Sequence, residues 1–483
     1  MTRATAALCA AALVAAPTAY AFVPTDPLAP RQWYLTQDRA FDAWPTPPVL
    51  APVRVAVIDS GIDGTHPEFA AGKIVGARSF VGGNPLVDEQ GHGTFVAGEI
   101  AAGLDNGEGI AGLAFSAQLL IAKVVRADGS ISLEAEAQAI RWAADQGARV
   151  INLSIGGVRD PADKSQDTFS PEEAGAVEYA VRSGAVVVAA VGNSDQAPAS
   201  PWPYASYPAA LPHVIGVSAL ARDGSVPDFS DRDPVFVDIA APGEDLLSTF
   251  PRQLTAVRPA CPDQGYSACG PDEYRFAEGT SFAAPQVSAA AALLIAVKPE
   301  LRPEQVSTLL EHTAQDANAT NGCRKCPLLR DALSGWGRLD IANALIALQE
   351  GPLPPVDARE PNDQAGMAAA TVWGAAGALK ASLDFWDDPI DVYRVRIRAG
   401  QRLVARATGS SNVAPTLVLW KPGTTRVDLR SLAALEQRAA VSAGAGQAQS
   451  LSFRSNAGGW YYLEVRAPRA SYGGYRLEYA KAY

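Results

Sequence analysis

The sequence predicts a doubly wound parallel α/β sheet with helices on both faces, followed by a small all-β sandwich domain. Up to about residue 300, short apolar runs rich in β-branched residues alternate with helical patterns, as in parallel strands that helices cover on both faces. A Pro-rich stretch, GPLPP at residues 351–355, then has the composition of a linker. Beyond it, apolar and polar residues alternate between Gly-rich turns, which is typical of an antiparallel sandwich.

The predicted strands of the first domain are residues 53–58, 119–125, 150–153, 185–190 and 214–217. Helical patterns between them cover 133–146 and 171–183, and the predicted strands of the second domain include 391–397, 401–406, 416–420 and 460–465. Ligands of such parallel sheets bind at the carboxyl ends of the strands. We therefore expect functional residues directly after the first set of strands.

Composition excludes several classes of protein. The chain has 483 residues, of which 48% are hydrophobic and 19% charged, as in soluble globular proteins rather than disordered or multi-span membrane proteins. Forty Lys and Arg face 51 Asp and Glu, for a net charge of −11. An acidic chain without basic clusters has no electrostatic footprint for nucleic acid, so we expect no nucleic acid partner.

The first 21 residues are predicted to be a cleavable export signal. An early Arg3 precedes the apolar run 6–16, and the small residues Ala19 and Ala21 flank Tyr20 before the expected cleavage. A membrane anchor is the alternative, but a bilayer span needs about 20 apolar residues. We expect a secreted, extracellular monomer without membrane contact, divided into a signal peptide (1–21), a catalytic domain (22–349), a linker (350–366) and a sandwich domain (367–483).

Four cysteines remain after removal of the signal: Cys261, Cys269, Cys323 and Cys326. An even number in an exported protein predicts disulfide bonds. Three pairings are possible, of which 261–269 with 323–326 is the most local. The C-x₂-C spacing of Cys323 and Cys326 also occurs in zinc sites, but the other two cysteines lack the matching spacing.

Three polar residues in Gly-rich settings supply the parts of a nucleophilic site. Asp59 follows an apolar strand, His92 lies in GHGT, and Ser281 lies in GTSFAAP at the start of a predicted helix. A serine needs a base to take its proton, and the histidine needs a carboxylate to orient it. Taken singly, each has a simpler explanation as a cap, turn or surface residue. Their order, Asp then His then Ser, is that of one known class of hydrolase.

Here the chain resembles the subtilisin-like serine peptidases. The matching stretches, in family order, are residues 55–69, 91–98, 150–157, 188–193 and 279–285. The resemblance implies that Ser281 is the nucleophile, His92 the general base and Asp59 the orienting carboxylate. It also implies that Asn193 donates to the oxyanion, together with the Ser281 backbone N–H.

The resemblance further implies two walls of a substrate pocket that pair with extended substrate backbone. One wall is Ser154, Ile155 and Gly156, and the other is Ala190, Val191 and Gly192. The floor is expected near residues 205–207, where the sequence offers no carboxylate. We therefore expect a broad or apolar preference for the residue before the cleaved bond, called P1.

A structural calcium ion is also implied by the resemblance. Glu68 and Asn106 would supply side-chain oxygens, and Leu104, Glu108 and Ile110 would supply carbonyls from a Gly-rich loop. Calcium accepts six to eight oxygen ligands in flexible geometry. A plain solvated loop is the alternative.

The C-terminal region resembles the prepeptidase C-terminal β-domains of secreted bacterial peptidases, through EPND at 360–363, DVY at 391–393 and GGYRL at 473–477. Such a domain is expected to act as a passive cap or as a binding module. For the whole chain we expect a secreted serine endopeptidase acting on polypeptides. The alternatives are a binding protein on an inactive scaffold and an esterase that uses the same three residues.

Overall fold

Seven parallel strands form a central sheet, and the apolar runs predict five of them. The computed structural model describes residues 22–483 apart from 256–265, 269–272, 355, 367–368, 428–434 and 445. The predicted signal peptide and the cysteines 261 and 269 lie outside the described residues. The strands are β1 (Arg54–Asp59), β2 (Ile74–Ser79), β3 (Gln118–Lys123), β4 (Val150–Leu153), β5 (Val186–Ala190), β6 (Val214–Leu220) and β7 (Ile239–Pro242).

The order of strands in this sheet is β2-β3-β1-β4-β5-β6-β7, and every neighbouring pair is parallel. The chain starts in the middle at β1, fills one side with β2 and β3, and then crosses to β4 on the other side. The switch of direction therefore lies between β1 and β4, and ligands of doubly wound sheets bind at such a point.

Helices cover both faces of the sheet, as expected. The helices are α1 (Trp33–Gln37), α2 (Ala40–Ala43), α3 (His92–Ala101), α4 (Leu133–Asp145), α5 (Pro171–Arg182), α6 (Arg252–Thr255), α7 (Thr280–Val297), α8 (Pro303–His312) and α9 (Ile341–Glu350). One core cluster joins α3 and α7 to the sheet, and a second joins α4 and α5 to its other face. By length and apolarity α7 could cross a membrane, but its side chains are largely buried in the first core cluster.

A small antiparallel sheet that the sequence pattern did not predict lies beside the first core. It has the order β8-β10-β9, with β8 (Leu246–Thr249), β9 (Tyr266–Ala268) and β10 (Tyr274–Ala277). Ser248 and Thr249 donate hydroxyl hydrogen bonds of 2.7 Å to the carbonyls of Phe95 and Thr94 in α3. This sheet therefore supports the helix that begins with His92.

The C-terminal region forms the predicted sandwich of two sheets around one apolar core. Its strands are β11 (Ala370–Val372), β12 (Ala376–Asp384), β13 (Ile390–Ile397), β14 (Arg402–Gly409), β15 (Thr416–Trp420), β16 (Arg438–Val441), β17 (Ala448–Arg454), β18 (Gly459–Arg466) and β19 (Tyr472–Ala482). The sheet orders are β11-β13-β18-β15-β16 and β12-β19-β14-β17. In the sheet β12-β19-β14-β17, side chains alternate between core and surface, which is the period of two seen in the sequence. Strands β13, β15 and β18 of the other sheet are largely buried on both faces.

Cys323 and Cys326 form a disulfide bond. Both side chains are buried, in a small apolar cluster with Leu220, Val226 and Ala240. The C-x₂-C pair is thus a disulfide and not half of a zinc site.

Candidate active site

The candidate catalytic residues follow neighbouring strands of the central sheet. Asp59 is the last residue of β1, Ser154 comes directly after β4, and Asn193 follows β5 after a two-residue turn. The strands β1, β4 and β5 are adjacent, so these side chains meet at the carboxyl edge of the sheet. His92 begins α3 and Ser281 is the second residue of α7. One cleft of about 250 Å³ is lined by all five residues.

Asp59 and His92 form a close pair. The Nδ1 atom of His92 lies 2.9 and 3.0 Å from the two carboxylate oxygens of Asp59, which is 1% exposed. Burial lowers the pKa of His92, but the attraction of Asp59 and its hydrogen bond outweigh burial, so the pKa is raised above 6.5. The imidazole is therefore held in one orientation and disposed to accept a proton.

Gly93 allows α3 to come this close to β1. A Cβ atom at Gly93 would lie 2.2 Å from the carbonyl oxygen of Gly61 and 3.1 Å from Cβ of Asp59. No side chain fits in that space. The second glycine of GHGT is thus required by the contact between His92 and Asp59.

Asp88 is a buried carboxylate that the sequence motifs did not indicate. Its Oδ1 accepts hydrogen bonds from the Ser60 hydroxyl at 2.8 Å and from the Gly91 N–H at 2.8 Å. Its Oδ2 accepts from the Thr94 N–H at 2.9 Å and the Thr94 hydroxyl at 2.7 Å. Asp88 thus ties the turn after β1 to the first turn of α3. An acidic residue shortly before a helix start was the signal available in the sequence.

Ser281 is held in place by a hydrogen bond to its backbone carbonyl. The Ser154 hydroxyl donates a 2.6 Å hydrogen bond to the carbonyl of Ser281, and the Asn152 amide donates in turn to Ser154 at 2.9 Å. The next residue, Phe282, packs against His92 with ring centroids 5.1 Å apart. These contacts fix the first turn of α7, and Ser281 lines the same cleft as His92 at the positive end of that helix.

The amide of Asn193 has one possible orientation. Its Oδ1 accepts a 3.0 Å hydrogen bond from the backbone N–H of Thr280 and a 3.1 Å bond from the Thr280 hydroxyl. A backbone N–H can only donate, so the oxygen must face Thr280. The Nδ2 group is left to donate elsewhere, and Asn193 lines the same cleft as Ser281.

Five of the six predicted wall residues line the cleft. Ser154, Ile155 and Gly156 do so on one side, and Ala190 and Gly192 on the other. Val191 does not, because its side chain is fully buried in the second core cluster and its carbonyl accepts from the Ser206 N–H.

Asp231 places a carboxylate behind the floor of this cleft, where the sequence suggested none. Ser206 lines the cleft, and a Cβ atom at Gly192 would lie 2.4 Å from Asp231 Oδ2 and from Ser206 Oγ. Asp231 is fully buried, and burial raises its pKa to about 7. The sequence could not reveal this contact because Asp231 is 25 residues away from Ser206 along the chain.

The predicted calcium loop is held together by hydrogen bonds to Glu68. That fully buried carboxylate accepts hydrogen bonds from the Ile110 N–H at 2.7 Å, the Asn106 amide at 3.0 Å and the Tyr274 hydroxyl at 3.0 Å. The Asn106 oxygen accepts from the Glu108 N–H. Three donors therefore occupy three of the roughly four lone-pair positions of the Glu68 carboxylate. Calcium ligation by this loop stays a prediction.

Comparison with known proteins identifies relatives of the first domain. The sequence profile of the subtilase family matches residues 51–335. Subtilisin BL from Lederbergia lenta is 36% identical over 274 residues, which are 56% of this chain and 86% of that protein. Thermitase from Thermoactinomyces vulgaris is 33% identical over 302 residues, which are 62% of this chain and 94% of that protein.

A solved structure agrees with this result. A protease from Pseudoalteromonas arctica is 26% identical, with a TM-score of 0.53, over 67% of this chain and 99% of that one. The family profile ends before the first strand of the C-terminal sandwich, at residue 335.

Proposed function

The chain belongs to the subtilase family of serine endopeptidases, and from this premise we propose that it cleaves polypeptides outside the cell with Asp59, His92 and Ser281 as its catalytic residues. The pairing of His92 with Asp59 at 2.9 Å, in a cleft that Ser281 also lines, is the observation that carries the proposal. The carboxylate, imidazole and hydroxyl that such a reaction requires thus line one cleft at the carboxyl edge of the central sheet.

In the proposed reaction, His92 takes the hydroxyl proton of Ser281 while Oγ forms a bond to the carbonyl carbon of the substrate. The resulting imidazolium is stabilised by Asp59 and gives its proton to the leaving amine, so that the C–N bond breaks and an acyl-enzyme remains. Water then attacks the ester carbonyl while His92 takes its proton. His92 returns a proton to Ser281 Oγ as the C–O bond breaks, and the carboxylic acid product is released. The raised pKa of His92 supports its role as the base.

We assign stabilisation of the tetrahedral oxyanion to Asn193 Nδ2 and the Ser281 backbone N–H. The Thr280 bonds to Asn193 Oδ1 support this, because they hold the amide before substrate arrives. Donors fixed in advance cost no reorganisation when the negative charge develops.

For substrate binding, we propose that the segments 154–156 and 190–192 flank the P1 side chain. Ile155 and Ala190 make these walls apolar, while Ser206 adds one polar group at the floor. A broad P1 preference that includes apolar side chains follows from this lining. Cleavage of a peptide library with each residue type at P1 measures it.

The remaining organisation is proposed from the sequence. Residues 1–21 act as an export signal, 22–349 as the catalytic domain, 350–366 as a connecting segment and 367–483 as an accessory domain of a monomer. The end of α9 at Glu350 and the start of β11 at Ala370 support the boundary. A structural calcium ion held by Glu68, Asn106 and the carbonyls of Leu104, Glu108 and Ile110 stays a prediction from the resemblance.

The test of the proposed function is Ser281→Ala together with a fluorophosphonate probe. We expect the unmutated chain to be labelled and to cleave peptides, and the variant to do neither while keeping its circular dichroism spectrum. Ser183→Ala, at an exposed serine just after α5, is the control and should keep labelling. Labelling of the Ser281→Ala variant would overturn the assignment, and cleavage of esters without cleavage of peptides would favour the esterase alternative.

A further inference from the structure

One oxygen of the Asp231 carboxylate is buried behind the floor of the cleft without a partner. Asp231 is fully buried, and among the described residues no group donates a hydrogen bond to its Oδ2. Its Oδ1, in contrast, accepts a 3.1 Å hydrogen bond from the Ser194 hydroxyl. Buried carboxylate oxygens are normally paired, because a buried acceptor without a donor is costly. Oδ2 is thus the oxygen of this carboxylate that a further group could satisfy.

Oδ2 lies beside the part of the cleft that would hold the P1 side chain. Gly192 and Ser206 both line the cleft. A Cβ atom at Gly192 would lie 2.4 Å from Asp231 Oδ2 and 2.4 Å from Ser206 Oγ. The two oxygens are therefore next to the same bare Cα. Because Ser206 lines the cleft and Asp231 does not, the carboxylate lies behind the serine hydroxyl.

Hydrogen bonds hold Asp231 in this position. Its N–H donates to the Gly192 carbonyl at 3.0 Å. The Ser194 hydroxyl accepts from the Trp202 N–H at 3.0 Å, so its own proton is free to be donated to Asp231 Oδ1. Both ends of the aspartate are thus attached to the wall of the pocket, and Oδ2 cannot turn away to solvent.

Among the described residues, no cation offsets a negative charge on Asp231. The residues that line the cleft include no Lys or Arg. Charged groups on the segments around Asp231 pair with one another or add repulsion. Arg159 pairs with Asp233, Arg232 pairs with Asp228, and Asp195 repels Asp231. An ionised Asp231 would therefore make the floor of the P1 pocket negative.

Given the peptidase activity proposed above, on which this inference rests, we propose that Asp231 determines P1 specificity by favouring side chains that end in a positive charge and disfavouring acidic ones. The Ser206 hydroxyl can donate to Oδ2 and then offer a lone pair to the P1 side chain. The apolar walls, which include Ile155 and Ala190, would hold the aliphatic stem. A long side chain with an apolar stem and a cationic tip, such as Lys, has both properties.

The preference is expected to depend on pH, because burial raises the pKa of Asp231 to about 7. Repulsion from Asp195 acts in the same direction, and the nearby hydroxyls of Ser194 and Ser206 act against it. Below pH 7 the protonated group carries no charge, so an acidic P1 side chain is tolerated. Above pH 7 the ionised group attracts a Lys at P1 and repels a Glu.

The test uses the full chain and four peptide p-nitroanilides that differ only at P1, which is Lys, norleucine, Glu or Gln. Lys differs from norleucine by its ammonium group, and Glu differs from Gln by its charge. The value of kcat/KM is measured for each substrate from pH 6 to pH 8.5, and the ratios Lys/norleucine and Glu/Gln are compared. Titration of His92 affects both members of a pair equally, so it cancels in each ratio.

Between pH 8.5 and pH 6 we expect the Lys/norleucine ratio of the parent to fall several-fold and its Glu/Gln ratio to rise. In Asp231→Asn both ratios should be independent of pH. At pH 8.5 the Lys/norleucine ratio of this variant should be about tenfold below that of the parent, because one charge is removed at constant shape. A residue that matters only for folding would lower kcat/KM for all four substrates and leave the ratios unchanged, and that result contradicts the proposal.

Asp228→Asn is the matched control. It removes an exposed carboxylate of the same segment that already pairs with Arg232 and Lys325, and its ratios should follow those of the parent at every pH. Ratios that do not change with pH in the parent overturn the inference, even if Asp231→Asn fails to fold. Absence of both fluorophosphonate labelling and cleavage of all four peptides by the parent would instead contradict the proposed function itself.

Discussion

The side-chain amide of Asn193 is oriented by the hydrogen bonds that its oxygen accepts. Its oxygen is held by the N–H and hydroxyl of Thr280, so its amide nitrogen has no competing partner on that side. The direction of the proposed donor, Nδ2, is thus set by hydrogen bonds made at the other end of the same amide group. Sequence motifs identify Asn193 as a candidate, but its orientation depends on where α7 begins.

Asn193→Ala is expected to lower kcat by about 10² to 10³ with little change in KM, a magnitude known for the corresponding donor of subtilisin. Steady-state kinetics on a chromogenic peptide measure both constants. Thr280→Val, which removes only the hydroxyl donor and keeps the N–H, is the milder comparison and should lose much less. An effect of Asn193→Ala confined to KM would assign it to substrate binding instead.

At Asp231 the expected effect is on stability. An aspartate in the unfolded chain has a pKa near 3.8, whereas burial raises the pKa of Asp231 to about 7. The folded state therefore favours the protonated form, and its stability falls by about 1.4 kcal/mol per pH unit as pH rises through that window. Asp231→Asn should remove this slope and be more stable than the parent at pH 7.

Urea unfolding of the catalytically inactive chain at several pH values between 4.5 and 7.5 measures the slope. Glu300→Gln, on an exposed carboxylate after α7, is the control and should leave the slope as it is. A parallel pH dependence in the parent and in Asp231→Asn would show that Asp231 is not the group that titrates.

At the scale of elements, the sequence predicted strands and helices well where periodicity was strong. The helix over α7 and the buried strands β1, β3, β4 and β5 were found to within two residues. The strands β2 and β7 were missed, because β2 is half-exposed with Gly and Arg in it, and β7 consists of Ile-Ala-Ala-Pro. Strands of small or mixed residues show no clear alternation of apolar and polar side chains. Their place in the sheet therefore depends on contacts with neighbouring strands.

The loop around Glu68 contains a hydrogen-bond partner that the sequence did not indicate. The predicted residues Glu68, Asn106 and Ile110 do meet, but through N–H donors, and the Tyr274 hydroxyl completes the set. Tyr274 comes from β10, which belongs to the small sheet that the sequence pattern missed. The sequence indicated that Glu68, Asn106 and Ile110 lie together, but not that the Tyr274 hydroxyl donates to Glu68.

Tyr274→Phe is expected to lower the free energy of unfolding by about 1.5–3 kcal/mol, because a buried carboxylate loses a hydroxyl donor. Thermal and urea unfolding measure the loss. Tyr179→Phe removes a similar bond to Asp145 on the surface and should change Tm little. A Tm of Tyr274→Phe equal to that of the parent would show that this hydroxyl does not stabilise the loop.

At the scale of the whole molecule, composition shifts predicted two domains but not how they associate. The segment assigned as a linker contributes Asp357, Glu360 and Asp363 to a buried contact. Its Pro and polar residues suggested an exposed spacer. The sequence gave no sign that these charged side chains would be buried together. Aromatic residues extend the contact, with Trp336 against Trp386 at 5.2 Å and His312 against Tyr472 at 4.8 Å.

A chain ending at Glu350 is therefore expected to fold less stably, with a loss of about 2–4 kcal/mol from the aromatic contacts. Its kcat/KM on a short peptide should stay close to that of the full chain at low temperature, because every residue that lines the cleft lies between 59 and 281. Differential scanning calorimetry and peptide kinetics test the two parts. Loss of peptide cleavage by a folded truncated chain would show that the sandwich acts on the active site itself.

The position of His213 has a consequence for the size of substrates. It precedes β6, at the amino edge of the central sheet, whereas Asp59, Ser154 and Asn193 follow their strands at the carboxyl edge. The contact of His213 with Asp363, at 2.9 Å, thus lies at the end of the sheet opposite the cleft. The sandwich also reaches the cleft end, because Arg426 lies over the ring of Phe169 at 4.7 Å and Phe169 packs on Tyr207 at 5.5 Å, at the expected floor of the cleft. A bulky folded protein that approaches on the Phe169 side therefore meets the sandwich, whereas a short extended peptide can bind along the segments 154–156 and 190–192 alone.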